Sequence, residues 1–420
     1  MSTLLHLALR SLWNRRGTAA LTFLSLTLAV TLLLGVEKVR TEARNGFYSA
    51  VSGTDLIVGA RTSPVQLLLA SVFRIGDPTA NIDWETYERI SSHPLVAWRI
   101  PISLGDSHRG FRVVGTTTEY YEHFRFGEGR ALEMADGAWF DDLFDVVLGA
   151  EVAQAFGYVV GDSLVLSHGT QALSHAQHDQ LPFRVSGILA ATGTPVDRSL
   201  HASLEAIEAI HIGWEAGVRL PGQEVDEEAA RAAELAPESI TAMMLGLQSR
   251  SAVFRMQQAI NVYPQEPLTA ILPAVAMNQF FSIIGIAEDA LLVVSGFVVL
   301  VGLAGMMTML LATLSARRRE MAILRSIGAR PRHVLLLLFC EAVLMTVVAA
   351  FAGVAAVQFV LLAFGPALEA LAGIRFSAGA PSTREWQLLG AVVAGGTLVS
   401  LVPGVIAYRR SLVDGLTPRL

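Results

Sequence analysis

His168, His175, His178 and Asp179 fall within twelve residues of one another. Together they offer the imidazole and carboxylate donors that a tetrahedral zinc ion takes. His201 and His211 follow shortly after and could complete a ligand set if the fold brings them near. The spacing H-x6-H-x2-H-D matches no stringent zinc pattern, and polar hairpin loops also collect histidine. A solvated loop is therefore the competing reading.

Catalysis has no comparable support. A nucleotide-binding P-loop needs G-x-x-x-x-G-K-[ST], because its lysine ammonium reaches the terminal phosphates while backbone N–H groups cradle the rest. Lys38 is the only lysine in the chain, and its neighbours are Val-Glu before and Val-Arg after. Neither H-E-x-x-H nor G-x-S-x-G occurs. The expectation is a non-enzymatic chain with no cofactor of its own apart from a possible zinc. Any nucleotide hydrolysis that drives it belongs to another polypeptide.

A third arrangement is mechanical. Ser315 to Arg332, SARRREMAILRSIGARPR, carries six arginines between two long apolar runs. A short arginine-rich loop between membrane spans stays on the cytoplasmic side. Its apolar positions Met321, Ile323, Leu324 and Ile327 suit a short helix along the membrane surface, ended by Gly328 and Pro331. Such a helix is a handle by which a soluble machine could move two membrane helices. Glu341 stands about seven residues into the following span, roughly 10 Å deep at about 1.5 Å per residue. A carboxylate near mid-membrane costs about 2.5–3.5 kcal/mol on insertion scales, so it should face protein or a partner. Snorkelling toward the interface is the alternative.

The elements that would position these groups follow from hydropathy. The 420 residues are 52% hydrophobic and only 16% charged, with mean hydropathy +0.49, outside the range of ordinary soluble domains. Residues 18–36 form an apolar run of roughly 28 Å as a helix, about one bilayer core. Three more runs follow at 288–314, 334–364 and 388–408. The expected organisation is a cytoplasmic N-terminus (1–17), the first span (18–36), an outer domain with helical stalks (37–287) and the second span (288–314). The coupling loop (315–333), third span (334–364), outer loop (365–387), fourth span (388–408) and cytoplasmic tail (409–420) complete it. Arg10, Arg15 and Arg16, the loop arginines, and Arg409, Arg410 and Arg419 all fall on one side, which places both termini inside.

Charge divides the same way. Residues 37–287 hold 17 Lys+Arg against 30 Asp+Glu, and the remainder 14 against 7. An acidic outer domain has no basic stripe for nucleic acid. The first apolar run exceeds a signal-peptide core of about 7–15 residues and ends in Gly35-Val36-Glu37, without a small-x-small cleavage site. It is expected to remain as an anchor. The single cysteine, Cys340, lies within the third span, so no internal disulfide is possible.

Within the outer region, short strands are expected at 54–58, 112–115, 146–148, 163–166, 183–188, 241–247 and 268–272. Helices are expected at 83–92, 151–156, 203–211 and 253–260, and this alternation indicates a mixed α/β domain. The apolar stretch 63–73 reads as a core helix, or as a surface touching lipid or apolar cargo. TGTPVDR, residues 192–198, reads as a hinge or partner contact. Ala349, Ala350, Gly353 and Ala356 in the third span, with Gly390, Gly395 and Gly396 in the fourth, allow close helix approach. Such packing would lie within one chain or at a dimer seam.

The loop residues Arg317, Arg318, Arg319, Glu320, Met321, Ala322, Ile323, Leu324, Arg325, Ser326, Ile327, Gly328 and Ala329 resemble the signature of the FtsX-like and MacB-like ABC transporter permeases. Val147-Leu148-Gly149, Val152-Ala153, Gly157, Gly161-Asp162 and Val185-x-Gly187-Ile188 are similar to their periplasmic core. Ala316 departs from the acidic residue often found there. The resemblance implies an α-helical membrane protein with four transmembrane helices and a mixed α/β extracytoplasmic domain inserted between helices 1 and 2. It also implies docking of an ATPase subunit on Arg317, Arg318, Arg319, Glu320, Leu324, Arg325, Gly328 and Ala329, and pairing with a second permease chain. The expected setting is a bacterial inner membrane, in contact with lipid, with ATP-driven motion acting on a periplasmic substrate: a lipoprotein, lipid, peptide, drug or metal-linked molecule. The alternative is a transmembrane regulator that switches a periplasmic enzyme or binding protein without transport.

Overall fold

In the computed structural model the described residues are 15–77, 80–169, 180–215, 218–219, 226–316, 331–372 and 379–413, with His6, Arg10, Leu12 and Trp13. Residues 317–330 of the expected coupling loop, with its docking residues, and the histidine-bearing segment 170–179 lie outside them. The chain divides into two compact units. One takes residues 1–42, 285–371 and 376–420; the other takes 43–284 with 372–375.

The first unit is built from helices Arg16–Ser49, Pro273–Ala316, Pro331–Ala372 and Thr383–Val413. All four contain stretches long and apolar enough to cross a membrane. Each helix outruns its hydropathic core, because polar residues continue the helical hydrogen bonding past the apolar run. Leu26, Ala29, Val30, Leu33 and Leu34 are buried, an i, i+3, i+4 stripe against the other helices, while Leu21, Leu24, Leu28 and Leu32 face outward. Outward leucines on this scale suit lipid, and the chain is a multi-pass membrane protein. Small residues set the helix spacing. A methyl group on Gly353 would stand 2.6 Å from Val30 Cγ1, and one on Gly396 would stand 2.4 Å from Thr346 Oγ1. Gly353 and Gly396 therefore pack within the chain, whereas Gly390 is exposed with open space beside it. Ser382 and Glu385 close the start of the last helix as a reciprocal capping box: Glu385 N–H donates to Ser382 Oγ and Ser382 N–H to Glu385 Oε2.

The second unit is a mixed α/β domain around an eleven-stranded sheet. Its path runs Leu268–Ile271, Leu56–Ala60, Ala242–Leu247, Val96–His108, Phe111–Thr116, Ser199–Ser203, Asp145–Leu148, Phe183–Leu189 and Met134–Gly137. Ser167–His168 pairs off that path with Val96–His108, and Ser163–Leu164 pairs with Phe183–Leu189. Two pairings are parallel, Ser199–Ser203 with Phe111–Thr116 and Phe183–Leu189 with Asp145–Leu148. Helix Pro64–Ser71 buries Leu67, Leu68 and Ala70 in the core of this unit, so the core-helix reading of 63–73 holds.

Two glycines of the periplasmic-core resemblance have a steric cause. A Cβ on Gly149 would lie 2.3 Å from the Val196 carbonyl oxygen, and one on Gly187 would lie 2.3 Å from that of Ala138. Backbone meets backbone at both places, and only glycine leaves the room.

Candidate functional site

The longest strand, Val96–His108, carries Asp106. Its register against Phe111–Thr116 slips between Leu104 and Ser107, a bulge beside Gly105. Bulges twist a strand and re-aim one side chain; here Asp106 is driven into the interior, with 1% of its surface exposed. His168 is its direct cross-strand partner on Ser167–His168. His211 arrives from a third direction as the last residue of helix Leu204–His211, whose start is fixed by Ser203 Oγ accepting from Ala206 N–H.

These three side chains converge. His168 Nδ1 and His211 Nε2 stand 3.1 Å apart, and Asp106 Oδ1 lies 3.5 Å from the first and 3.4 Å from the second. The two rings meet edge to face at 89°. Burial lowers the His211 pKa, but the adjoining Asp106 carboxylate and the Glu208 charge outweigh that, and the net shift is upward. These are the described residues able to hold a metal ion as a group. Of the sequence-level candidates, His168 belongs to this group, while His175, His178 and Asp179 lie outside the described residues. Asp106 carries no local signal in sequence. It sits 62 residues from His168, and only sheet pairing brings the two together.

His201 sits elsewhere, fully buried, with its ring 5.0 Å from that of Tyr120 and 5.7 Å from that of Trp139. Burial first, and the nearby Arg74 charge second, push its pKa down to about 3, while the backbone of its strand partner Val147 works weakly the other way. A depressed histidine pKa favours the neutral folded form. Its stabilising contribution is complete above the unfolded value of about 6.5 and is lost as pH falls from there toward 3. At about 1.4 kcal/mol per pH unit, acidification from 6.5 to 5 should cost this unit about 2 kcal/mol. His201→Leu should flatten that acid limb in melting curves recorded between pH 7.5 and 5. An unchanged slope would remove His201 as its source.

The TGTPVDR segment, expected as a hinge or partner contact, is a hydrogen-bonded turn. Its residues Pro195–Arg198 form a 3-10 turn whose buried Asp197 accepts from Thr192 N–H at 2.8 Å, Thr192 Oγ1 at 2.8 Å and Gly193 N–H at 2.6 Å. Beside it lies a cleft of about 470 Å3 lined by Phe47, Phe73, Phe111, Arg74, Arg112 and Arg198 among others. Arg74 donates to Tyr120 Oη, and Arg112 donates to the Asp77 carboxylate. The cleft thus combines aromatic walls with guanidinium groups in an otherwise acidic domain.

In the helical unit Glu341 is 3% exposed and faces protein, as its intramembrane cost requires. Sequence reasoning missed a second buried acid there. Glu37, also 3% exposed, lies 3.5 Å from Arg40 and 3.3 Å from Arg384, and Arg40 in turn lies 3.0 Å from Glu288. This network joins helices Arg16–Ser49, Pro273–Ala316 and Thr383–Val413. Its signal in sequence was only a cluster of charges just past the first apolar run.

Comparison with known proteins adds to this geometry. The profile of the FtsX-like permease C-terminal family matches residues 292–413, and that of the MacB-like periplasmic core domain matches residues 19–260. The chain is 26% identical over 433 aligned residues to the pyoverdine export ATP-binding/permease protein PvdT of Pseudomonas entomophila (strain L48), covering 98% of this chain and 59% of that protein. It is 33% identical over 113 residues to the uncharacterized ABC transporter permease YknZ of Bacillus subtilis (strain 168), covering 27% of this chain and 25% of that one. Among solved structures, the periplasmic region of MacB from Actinobacillus actinomycetemcomitans aligns at a TM-score of 0.32 with 11% identity, over 55% of this chain and 94% of that one. The chain spans roughly half to three-fifths of the length of the PvdT proteins it matches.

Proposed function

The chain belongs to the MacB/FtsX class of ABC transporter permeases, and we propose that it transmits ATP-driven motion from a separate ATPase subunit to an outer domain placed between its first and second membrane helices. The observation that carries this reading is the pairing of a MacB-like domain and an FtsX-like helical region in a chain with no P-loop. In this reading Arg317 to Ala329 dock the ATPase, Glu341 and the Glu37 network hold the helices as a unit that moves together, and two permease chains work as a pair. The protein sits in a bacterial inner membrane with both termini in the cytoplasm.

The substrate is met outside the membrane. Relatives are named for pyoverdine export, and the cleft of this chain, with three phenylalanines and three arginines, suits a molecule with apolar and anionic parts. Guanidinium forks recognise carboxylates and phosphates, and aromatic walls bury apolar surface.

Topology is the first thing to check. A reporter fused after Val159, an exposed position of the α/β domain, should be active only when the reporter requires the periplasm. One fused after Ala329 should be active only when it requires the cytoplasm. The reverse pattern would sink the arrangement.

A further inference from the structure

Asp106, His168 and His211 come from a bulged strand, its neighbouring strand and the end of a helix, and the fold brings one donor atom from each within 3.5 Å of the other two. Ligands bound at 2.0–2.1 Å around a tetrahedral ion stand about 1.63 bond lengths from one another, about 3.3–3.4 Å. The three separations here, 3.1, 3.4 and 3.5 Å, bracket that edge length. Charge-assisted hydrogen bonds between a nitrogen donor and a carboxylate run about 2.7–2.9 Å. Both nitrogen–oxygen distances to Asp106, at 3.4 and 3.5 Å, are longer than that and match two ligands sharing an ion better.

We propose that Asp106, His168 and His211 form a binding site for a divalent transition metal of the zinc class. Two imidazole nitrogens and one carboxylate oxygen suit zinc, whereas calcium and magnesium favour six or more oxygens. Asp106 is buried, yet the side chains of His168 and His211 are 38% and 27% exposed. The ion would be seated on the interior carboxylate and reached from the surface past the two rings. Three protein ligands leave a fourth position for water or for a donor atom of a bound molecule. The site needs neither the neighbouring residues His175, His178 and Asp179 nor any part of the membrane helices. It therefore stands or falls independently of the transport reading.

The test uses the full-length chain in detergent, stripped with a chelator and titrated calorimetrically with zinc chloride alone. One saturable site per chain is expected. His211→Ala and Asp106→Asn should each weaken it by more than the roughly 10–100-fold that loss of an outer-sphere partner costs. A His175→Ala/His178→Ala variant should bind as the parent does. Because Asp106 is buried and its replacement could disturb folding, cobalt(II) provides a readout on the unaltered chain. Tetrahedral coordination gives intense visible bands, unlike the faint colour of the aqueous ion. Absence of saturable zinc binding, a cobalt spectrum no stronger than that of the free ion, equal affinity in the His211→Ala variant, or loss of binding in the His175→Ala/His178→Ala variant alone would each overturn the proposal.

Discussion

Asp197→Ala will cost the MacB-like domain about 3–5 kcal/mol. The carboxylate is 3% exposed and holds two backbone N–H groups and the Thr192 hydroxyl. Truncation leaves those donors unpaired within the turn, and a buried unsatisfied donor costs about 1–3 kcal/mol. Domains of this size are stable by only about 5–15 kcal/mol. The unfolding of the domain in the full-length protein should therefore move down by many degrees in a thermal melt. Asp197→Asn keeps one acceptor oxygen and should fall between the two. A melt of Asp197→Ala within a degree of the parent would show that the turn is not the brace described here.

The second large effect concerns coupling. Under the proposed docking, an Arg318→Glu/Glu320→Arg variant should insert into the membrane as the parent does, while an ATPase partner loses its influence on the outer domain. A docking segment works by complementary charge at a desolvated contact, and placing like charges there costs several kcal/mol. At 1.4 kcal/mol per tenfold, a loss of about 3 kcal/mol weakens assembly on the order of a hundredfold. Assembly is read by co-purification, so a variant that keeps its full complement of ATPase would argue against docking at this segment.

Much of the fold was legible because membrane helices announce themselves by length and apolarity. Expected strands such as 183–188, which alternates along its length, and 241–247, which is buried on both faces, emerged within a residue or so. The longest strand did not. Val96–His108 contains Pro101 and Gly105, and proline removes a ladder donor while glycine weakens a strand, so propensity argues against it. Tertiary pairing on both sides overrides that, with Ala242–Leu247 on one edge and Phe111–Thr116 on the other. The same strand hides the metal candidate. His168 was visible as one of several close histidines, and His211 as a possible helper, but an aspartate in Gly-Asp-Ser-His has no spacing rule to mark it. Its role depends on a bulge, which is a property of pairing and not of composition. Glu37 was hidden for a related reason, since its partners Arg384 and Arg40 meet it only when the helices pack. Glu341 was legible because a carboxylate within an apolar run has few physically acceptable surroundings.

In the proposed mechanism, motion generated by ATP in a partner reaches the outer domain through this chain. Hydrogen–deuterium exchange across residues 43–284, measured in the complex with its co-purified ATPase with and without ATP, tests it most directly. ATP should change amide protection in the outer domain of the parent complex, and the change should vanish in the Arg318→Glu/Glu320→Arg variant. Identical exchange with and without ATP in the intact parent complex, or an ATP response from the purified chain with no ATPase present, would contradict it.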